Sequence, residues 1–227
     1  MKMLALDTSS VACTVAVRAG DTLVERHEEQ PREHTRLLMP MIRSALLEAD
    51  TALTDLDAIV LGNGPGSFIG MRIAASVAQG LAHGAGLEIV PVSSLAAVAA
   101  EVFESTDAEQ VAVAQDAHMN EVYWGLFERA ASGLPELIGD ERLQRQEQIA
   151  ELDEKGSMRR IAAGYGWQRY PNLMNLNRVF FSDESHVLHP RARFLLALAQ
   201  QTNAVEPQNI APAYLRKKVA EKPGQAS

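Results

Sequence analysis

An α/β fold of two related lobes is what this sequence predicts, and three observations carry that prediction. The chain has 227 residues, enough for one large domain or two small lobes with a real core. Short apolar runs alternate with stretches of helical periodicity, and Gly, Pro and Ser punctuate them. The two halves also open alike, with a strand, an Asp-bearing turn and a second strand, first at Asp7 and again at Asp116. That repeat suggests a duplicated lobe.

Met3 to Leu6 reads as a buried strand, and Asp7-Thr8-Ser9-Ser10 as a polar turn. Val11 to Arg18 and Thr22 to Glu28 are strands joined by the tight turn Ala19-Gly20-Asp21. Pro31-Arg32-Glu33-His34-Thr35 starts a helix whose apolar positions are Leu37, Leu38, Met41, Ile42, Ala45, Leu46 and Ala49. Pro40 lies in its first turn or kinks it. Asp57 to Leu61 is a strand, and Ser67 to His83 a helix closed by Gly84 and Gly86. Glu88 to Val92 is a strand, and Ser93-Ser94 caps a helix through Glu104.

Ser105-Thr106-Asp107 marks the boundary, giving lobes 1–104 and 105–227. Val111 to Gln115 and Glu121 to Glu128 read as strands, with Tyr123 and Trp124 as core. Gln144 to Glu154 reads as a helix, Arg159 to Ala163 as a strand and Tyr165-Gly166-Trp167 as a turn. Arg191 to Gln201 is a helix introduced by Pro190, and the tail loses hydrophobicity after Arg216, so its last residues are expected to be mobile.

Hydrophobic residues at 47% and charged residues at 22% are ordinary for a soluble globular protein. A net charge of -8 argues against long-range attraction to nucleic acid by the whole surface, with Arg216-Lys217-Lys218 and Lys222 as a local basic exception. The single cysteine, Cys13, excludes an intramolecular disulfide framework and fits a buried small hydrophobe. With a single cysteine a cytoplasmic location is expected, and no apolar run is long enough for a signal peptide or membrane span.

The stretch Asp57 to Arg72 is the most informative. A strand empties into a loop carrying Gly62, Gly64 and Gly66, and a helix follows. Glycines allow close backbone approach, and a helix start favours anions. No Lys follows, so it is not a Walker A loop; a third fingerprint Gly is missing, and Pro65 and Ile69 replace the glycines of a nucleophile elbow. A phosphate contact, a tight structural turn and a close protein contact all stay open. The candidate nucleotide contacts are Asp7, Thr8 and Ser9 with Gly64, Gly66 and Ser67, against a reading in which Asp7 satisfies backbone N–H groups. Small residues on the following helix, with Ser76, Gly80 and Gly84 at four-residue spacing, admit a closely packed neighbour, either the chain's own sheet or a partner. No catalytic set and no His-x-x-x-His or Cys/His metal pattern is found.

Asp7-Thr8-Ser9, Pro31-Arg32-Glu33-His34-Thr35, Gly64-Pro65-Gly66-Ser67-Phe68 with Gly70 and Arg72, Asp116-Ala117 before Glu121-Val122-Tyr123-Trp124, and Tyr214-Leu215-Arg216 occur in that order. As a set covering nearly the whole chain they resemble the bacterial TsaB (YeaZ) family, related to the transferase subunit TsaD. Asn63 and Ile69 depart from the pattern, where a basic residue and Thr are expected.

The resemblance implies an actin-like, Hsp70-like (ribonuclease-H-like) α/β fold of two related lobes, with mixed sheets flanked by helices. It implies a non-catalytic partner and activator of TsaD, without that subunit's metal-binding histidines. TsaE joins the complex, which places threonylcarbamoyl on N6 of the adenosine next to the anticodon in tRNAs reading codons that start with A. A contact with TsaD, competing with a homodimer, is implied on the first-lobe helices, at Leu37, Leu38, Met41 and Ile42 and at Arg72, Ala75, Ser76, Ala78 and Gln79. No cofactor of its own is expected, with ATP or ADP at the assembled interface. The glycine loop then reads first as the turn that positions the docking helix. The rival is an autonomous ATP-binding enzyme, an ATPase or a peptidase of glycoprotease type.

Overall fold

A computed structural model describes residues 1–147, 149, 152 and 158–216. The first half builds β1 (Lys2–Asp7), β2 (Cys13–Ala19), β3 (Thr22–Glu28), α1 (His34–Glu48), β4 (Ala58–Gly62), α2 (Phe68–Ala85), β5 (Glu88–Val92) and α3 (Ser94–Ser105). The second builds β6 (Gln110–Asp116), β7 (Glu121–Arg129), β8 (Pro135–Arg145), β9 (Arg160–Ala163), α4 (Tyr165–Arg169), α5 (Pro171–Asn177), β10 (Asp183–Glu184) and α6 (Ala192–Leu198).

The strands form two five-stranded sheets, ordered β3-β2-β1-β4-β5 and β10-β9-β6-β7-β8. In the first, β1 pairs antiparallel with β2 and parallel with β4. In the second, β6 does the same with β7 and β9. Read from β8, the second sheet repeats the first strand for strand, so the repeated Asp turn reflects a repeated topology: Asp7 ends β1 and Asp116 ends β6.

Local chemistry sets the helix ends. The Ser67 hydroxyl accepts from the Gly70 N–H at 3.2 Å, and that of Ser93 from the Ala96 N–H at 3.0 Å. Gly86 closes α2 in the left-handed conformation, φ 68°, which costs a residue without Cβ nothing, so Gly84 stays inside the helix. Pro40 lies within α1 on its exposed side.

The last helix of each half covers the other half's sheet. Leu95, Val98, Val102 and Phe103 of α3 pack with Val111, Val113 and Phe127 of the second sheet. Ala192, Leu195 and Leu196 of α6 pack with Met3, Ala5 and Val60 of the first. The outer faces take α1 and α2 on one side and α4 and α5 on the other. The boundary near residue 105 separates the two sheets, but α6 and the chain after it return to the first. Val205 pairs with Ile89 at the β5 edge, and Ile210 enters the core beneath α1 and α2.

Two expectations fail. Gln144 and Arg145 end strand β8 instead of opening a helix, and Gln146 and Glu147 form a bend; the rest of that expected helix, apart from the buried Ile149 and Leu152, lies outside the described residues. The Tyr165-Gly166-Trp167 turn is the first part of helix α4. Strand β8 was not anticipated at all.

Candidate functional site

The turn after β1 and the glycine loop are built against each other. Asp7 is fully buried. One of its carboxylate oxygens accepts from the Ser9 N–H at 2.6 Å and the other from the Ser94 hydroxyl at 2.5 Å. The same Ser94 oxygen accepts from the Gly64 N–H at 3.0 Å. Burial pushes the Asp7 carboxyl above its usual range, against the lowering effect of the Ser94 and Ser9 hydrogen bonds. Thr8, also buried, donates its hydroxyl to the Gly70 carbonyl at 2.6 Å, and the Ser67 N–H donates to the Ser9 carbonyl at 2.6 Å.

These contacts explain the glycines. A Cβ at Gly62 would overlap the Asp7 carboxylate, one at Gly66 the Ser9 carbonyl, and one at Gly70 the Thr8 carbonyl. The loop makes close backbone approaches to the chain's own Asp7-Thr8-Ser9 turn. Of the six candidate nucleotide contacts, Ser9, Gly66 and Ser67 line the groove between the lobes; Asp7, Thr8 and Gly64 are buried behind it.

That groove has a main cavity of about 530 Å³ between the starts of α1 and α2 on one side and the Asp116 turn on the other. Its polar lining includes Ser9, His34, Ser67, Gln115, Asp116 and His189. His34 Nε2 donates to the Ser10 carbonyl at 2.9 Å. Asp116 accepts from the His118 N–H at 2.8 Å and from the Tyr170 hydroxyl at 2.7 Å, and burial with that carboxylate pushes the Tyr170 phenol up to about 12. His189 is buried with Nδ1 unpartnered, its ring 5.6 Å from that of Tyr165, and burial lowers its pKa. A neighbouring cavity of about 290 Å³ lies toward Tyr214 and Arg216. Sequence reasoning did not assign His189 or Tyr165 to the groove. The signal for Asp116 was present, as the second copy of the repeated turn. Among the described residues no cluster of His, Cys, Asp and Glu is arranged to hold a metal ion.

The docking candidates divide by burial. Leu38, Met41, Ile42, Ala75 and Ala78 are buried in the core between the helices and the first sheet. Leu37 and Gln79 are half-buried, and Arg72 and Ser76 are exposed. Arg72 stacks over the Phe68 ring at 3.7 Å, and Gln79 donates to the Pro207 carbonyl at 3.0 Å. At Gly80 and Gly84 a Cβ would meet only open space.

The duplicated sheets, the exchanged helices and the groove between the lobes define an actin-like protein of two related lobes. The family model described as TsaD, tRNA N6-adenosine threonylcarbamoyltransferase, matches residues 25–223. The tRNA threonylcarbamoyladenosine biosynthesis protein TsaB of Escherichia coli is 37% identical over 224 residues, covering 97% of this chain and 96% of that protein. Its namesake in Bacillus subtilis is 28% identical, covering 97% and 96%. The solved structure of YeaZ from Pseudomonas aeruginosa superposes with a TM-score of 0.86 at 37% identity, covering 94% of this chain and 99% of that one. The chain belongs to the TsaB (YeaZ) family.

Proposed function

We propose that this chain acts in tRNA threonylcarbamoyladenosine biosynthesis as a non-catalytic partner and activator of TsaD. The observation that carries the reading is the internal use of Asp7: both carboxylate oxygens bond to the chain's own Ser9 and Ser94, and the glycine loop is packed onto its own backbone. The strand-end carboxylate and loop that could hold a metal–nucleotide thus brace the lobe instead. The near-full-length kinship to TsaB proteins supports the pathway. In this reading TsaD docks on the outward side of α1 and α2, where Ser76 and Gly80 let another backbone come close. The same face forms a homodimer when TsaD is absent. TsaE joins the assembly, nucleotide binds only at the assembled interface, tRNA is the substrate of the complex, and the setting is cytoplasmic. Among the described residues no helix is long and apolar enough to cross a membrane.

Co-expression with TsaD tests the proposal. A stable heterodimer is expected from the native chain, and Gly80→Arg should abolish it while leaving the chain folded. Absence of a complex with the native chain overturns the partnership. A folded variant that still binds fully overturns the surface.

The groove volume favours a second reading, an autonomous ATP-binding enzyme. Titration calorimetry of the isolated chain with ATP and ADP decides it. Heat of binding together with turnover by the purified chain supports the enzyme, and neither is expected.

A further inference from the structure

The chain after α6 runs back over the first sheet and then crosses the mouth of the groove. Asn63, the residue after β4, holds it on the first lobe: its side-chain amide donates to the Ala211 carbonyl at 3.0 Å, and its own carbonyl accepts from the Ala213 N–H at 3.0 Å. The next anchor is Tyr214. Its hydroxyl accepts from Arg72 Nε at 3.0 Å, and its ring lies 5.5 Å from that of Phe68. Two residues later the chain is held by the other lobe. Leu215 packs on the second-sheet core, and Arg216 donates to the Ala117 carbonyl at 2.8 Å and pairs with Glu121 at 2.7 Å. Both members of that ion pair are less than a fifth exposed, so screening weakens it less than an open surface pair.

We infer that residues Ala211 to Arg216 are a strap that latches the two lobes across the groove and fixes their relative orientation. The argument is one of placement. Within six residues the backbone and side chains make hydrogen bonds to the first lobe through Asn63 and Arg72, and to the second through Ala117 and Glu121. The strap borders the smaller cavity through Tyr214 and Arg216, so it spans the opening that lobe rotation would widen. Asn63, which departs from the family pattern, gains a role as the strap's anchor. The inference rests on these contacts alone and not on the TsaD reading, so either can fail without the other.

Distances between spin labels in the full chain test it. The native Cys13 is buried, which leaves cysteines introduced by Arg43→Cys on α1 and Asn175→Cys on α5, both exposed, as the labelling sites. Labelled protein is diluted into unlabelled protein so that only distances within one chain are read. A single narrow distribution is expected with the strap intact. Tyr214→Ala with Arg216→Ala should shift it outward and about double its width, with helix content unchanged. If that double variant does not fold, Arg216→Met alone is read in the same way. A folded variant that keeps the native distribution overturns the proposal.

Discussion

Ser94 donates its hydroxyl to Asp7 at 2.5 Å across 87 positions of sequence, and both side chains are fully enclosed. The bond ties the end of β1 to the first turn of α3, and the same oxygen receives the Gly64 N–H. One hydroxyl therefore couples a strand, a helix start and the glycine loop. Ser94→Ala leaves a buried acceptor and a buried donor unsatisfied, so a loss of about 1–3 kcal/mol is expected. Asp7→Ala also strips the Ser9 N–H and should cost at least as much. Because both act through one contact, the double variant should lose about 0.5–3 kcal/mol less than the sum. Urea denaturation of the four proteins measures this. Additive losses would show that the bond carries no coupling.

Two glycines on one helix should respond oppositely to alanine. At Gly70 the new methyl would collide with the Thr8 carbonyl, a backbone atom that cannot swing away. Overpacking of that kind costs about 1–3 kcal/mol, and the Thr8 bond to the Gly70 carbonyl would be strained as well. At Gly80 the methyl meets open space on an exposed turn, and alanine should stabilise by about 0.5–1 kcal/mol through helix propensity. Thermal unfolding should place the two variants on opposite sides of the native Tm. Equal tolerance would mean that the glycine loop is free to move off the Asp7 turn.

Much of this arrangement was legible in the residues. Strands β3 and β5 have the predicted bounds, Ser93 caps its helix as expected, the second helix starts next to Ser67, and the paired Asp7 and Asp116 turns disclosed the duplication. Those signals are local, set by burial, capping or turn chemistry over a few residues. Strand β8 was invisible because its run is broken in the middle: Gly139 has φ 73°, the pairing slips between Trp124 and Leu126, and only Pro135 among its eleven residues is buried, whereas β3, also an edge strand, was disclosed by the tight turn that joins it to β2. With neither face fully covered, no alternation is selected. The exchange of α3 and α6 was equally hidden. A helix that is apolar on most sides announces burial, but not which sheet buries it.

That limit bears on the proposed docking surface. The apolar stripe at Leu38 and Ala78 looks like a partner face in sequence, yet both side chains are shut into the first-lobe core. Glu at either position buries an unpaired carboxylate and overfills the site, so both variants should fail to fold cooperatively or lose several kcal/mol, about 3 or more. Ser76→Arg, on the exposed side, should change stability by no more than about 0.5 kcal/mol. Circular dichroism melts of the three variants separate the cases. A native melt for Leu38→Glu would mean that α1 presents this stripe to solvent.

Glu141 should give the fold a pH dependence of definite sign. Its carboxylate, on β8, accepts from the Ser93 hydroxyl that caps α3, so it links the edge of the second sheet to the start of a helix from the other half. Burial pushes its pKa from 4.5 to about 7, with the Ser93 bond opposing the rise. The folded chain therefore holds this proton where the unfolded chain has released it. The stabilisation is fully present below pH 4.5 and is lost as pH rises through about 7. Partial exposure sets the range at about 1–3 kcal/mol. Other carboxylates contribute their own slopes, so the informative quantity is the difference between the native chain and Glu141→Gln, which keeps the shape and cannot ionise. The variant should gain stability relative to the native chain as pH rises from 4.5 to 7, with the gain levelling off above that range. Urea midpoints taken at half-unit pH steps measure it. Parallel curves would mean that Glu141 is ionised in the folded protein and that the Ser93 contact joins a charged carboxylate to the helix cap.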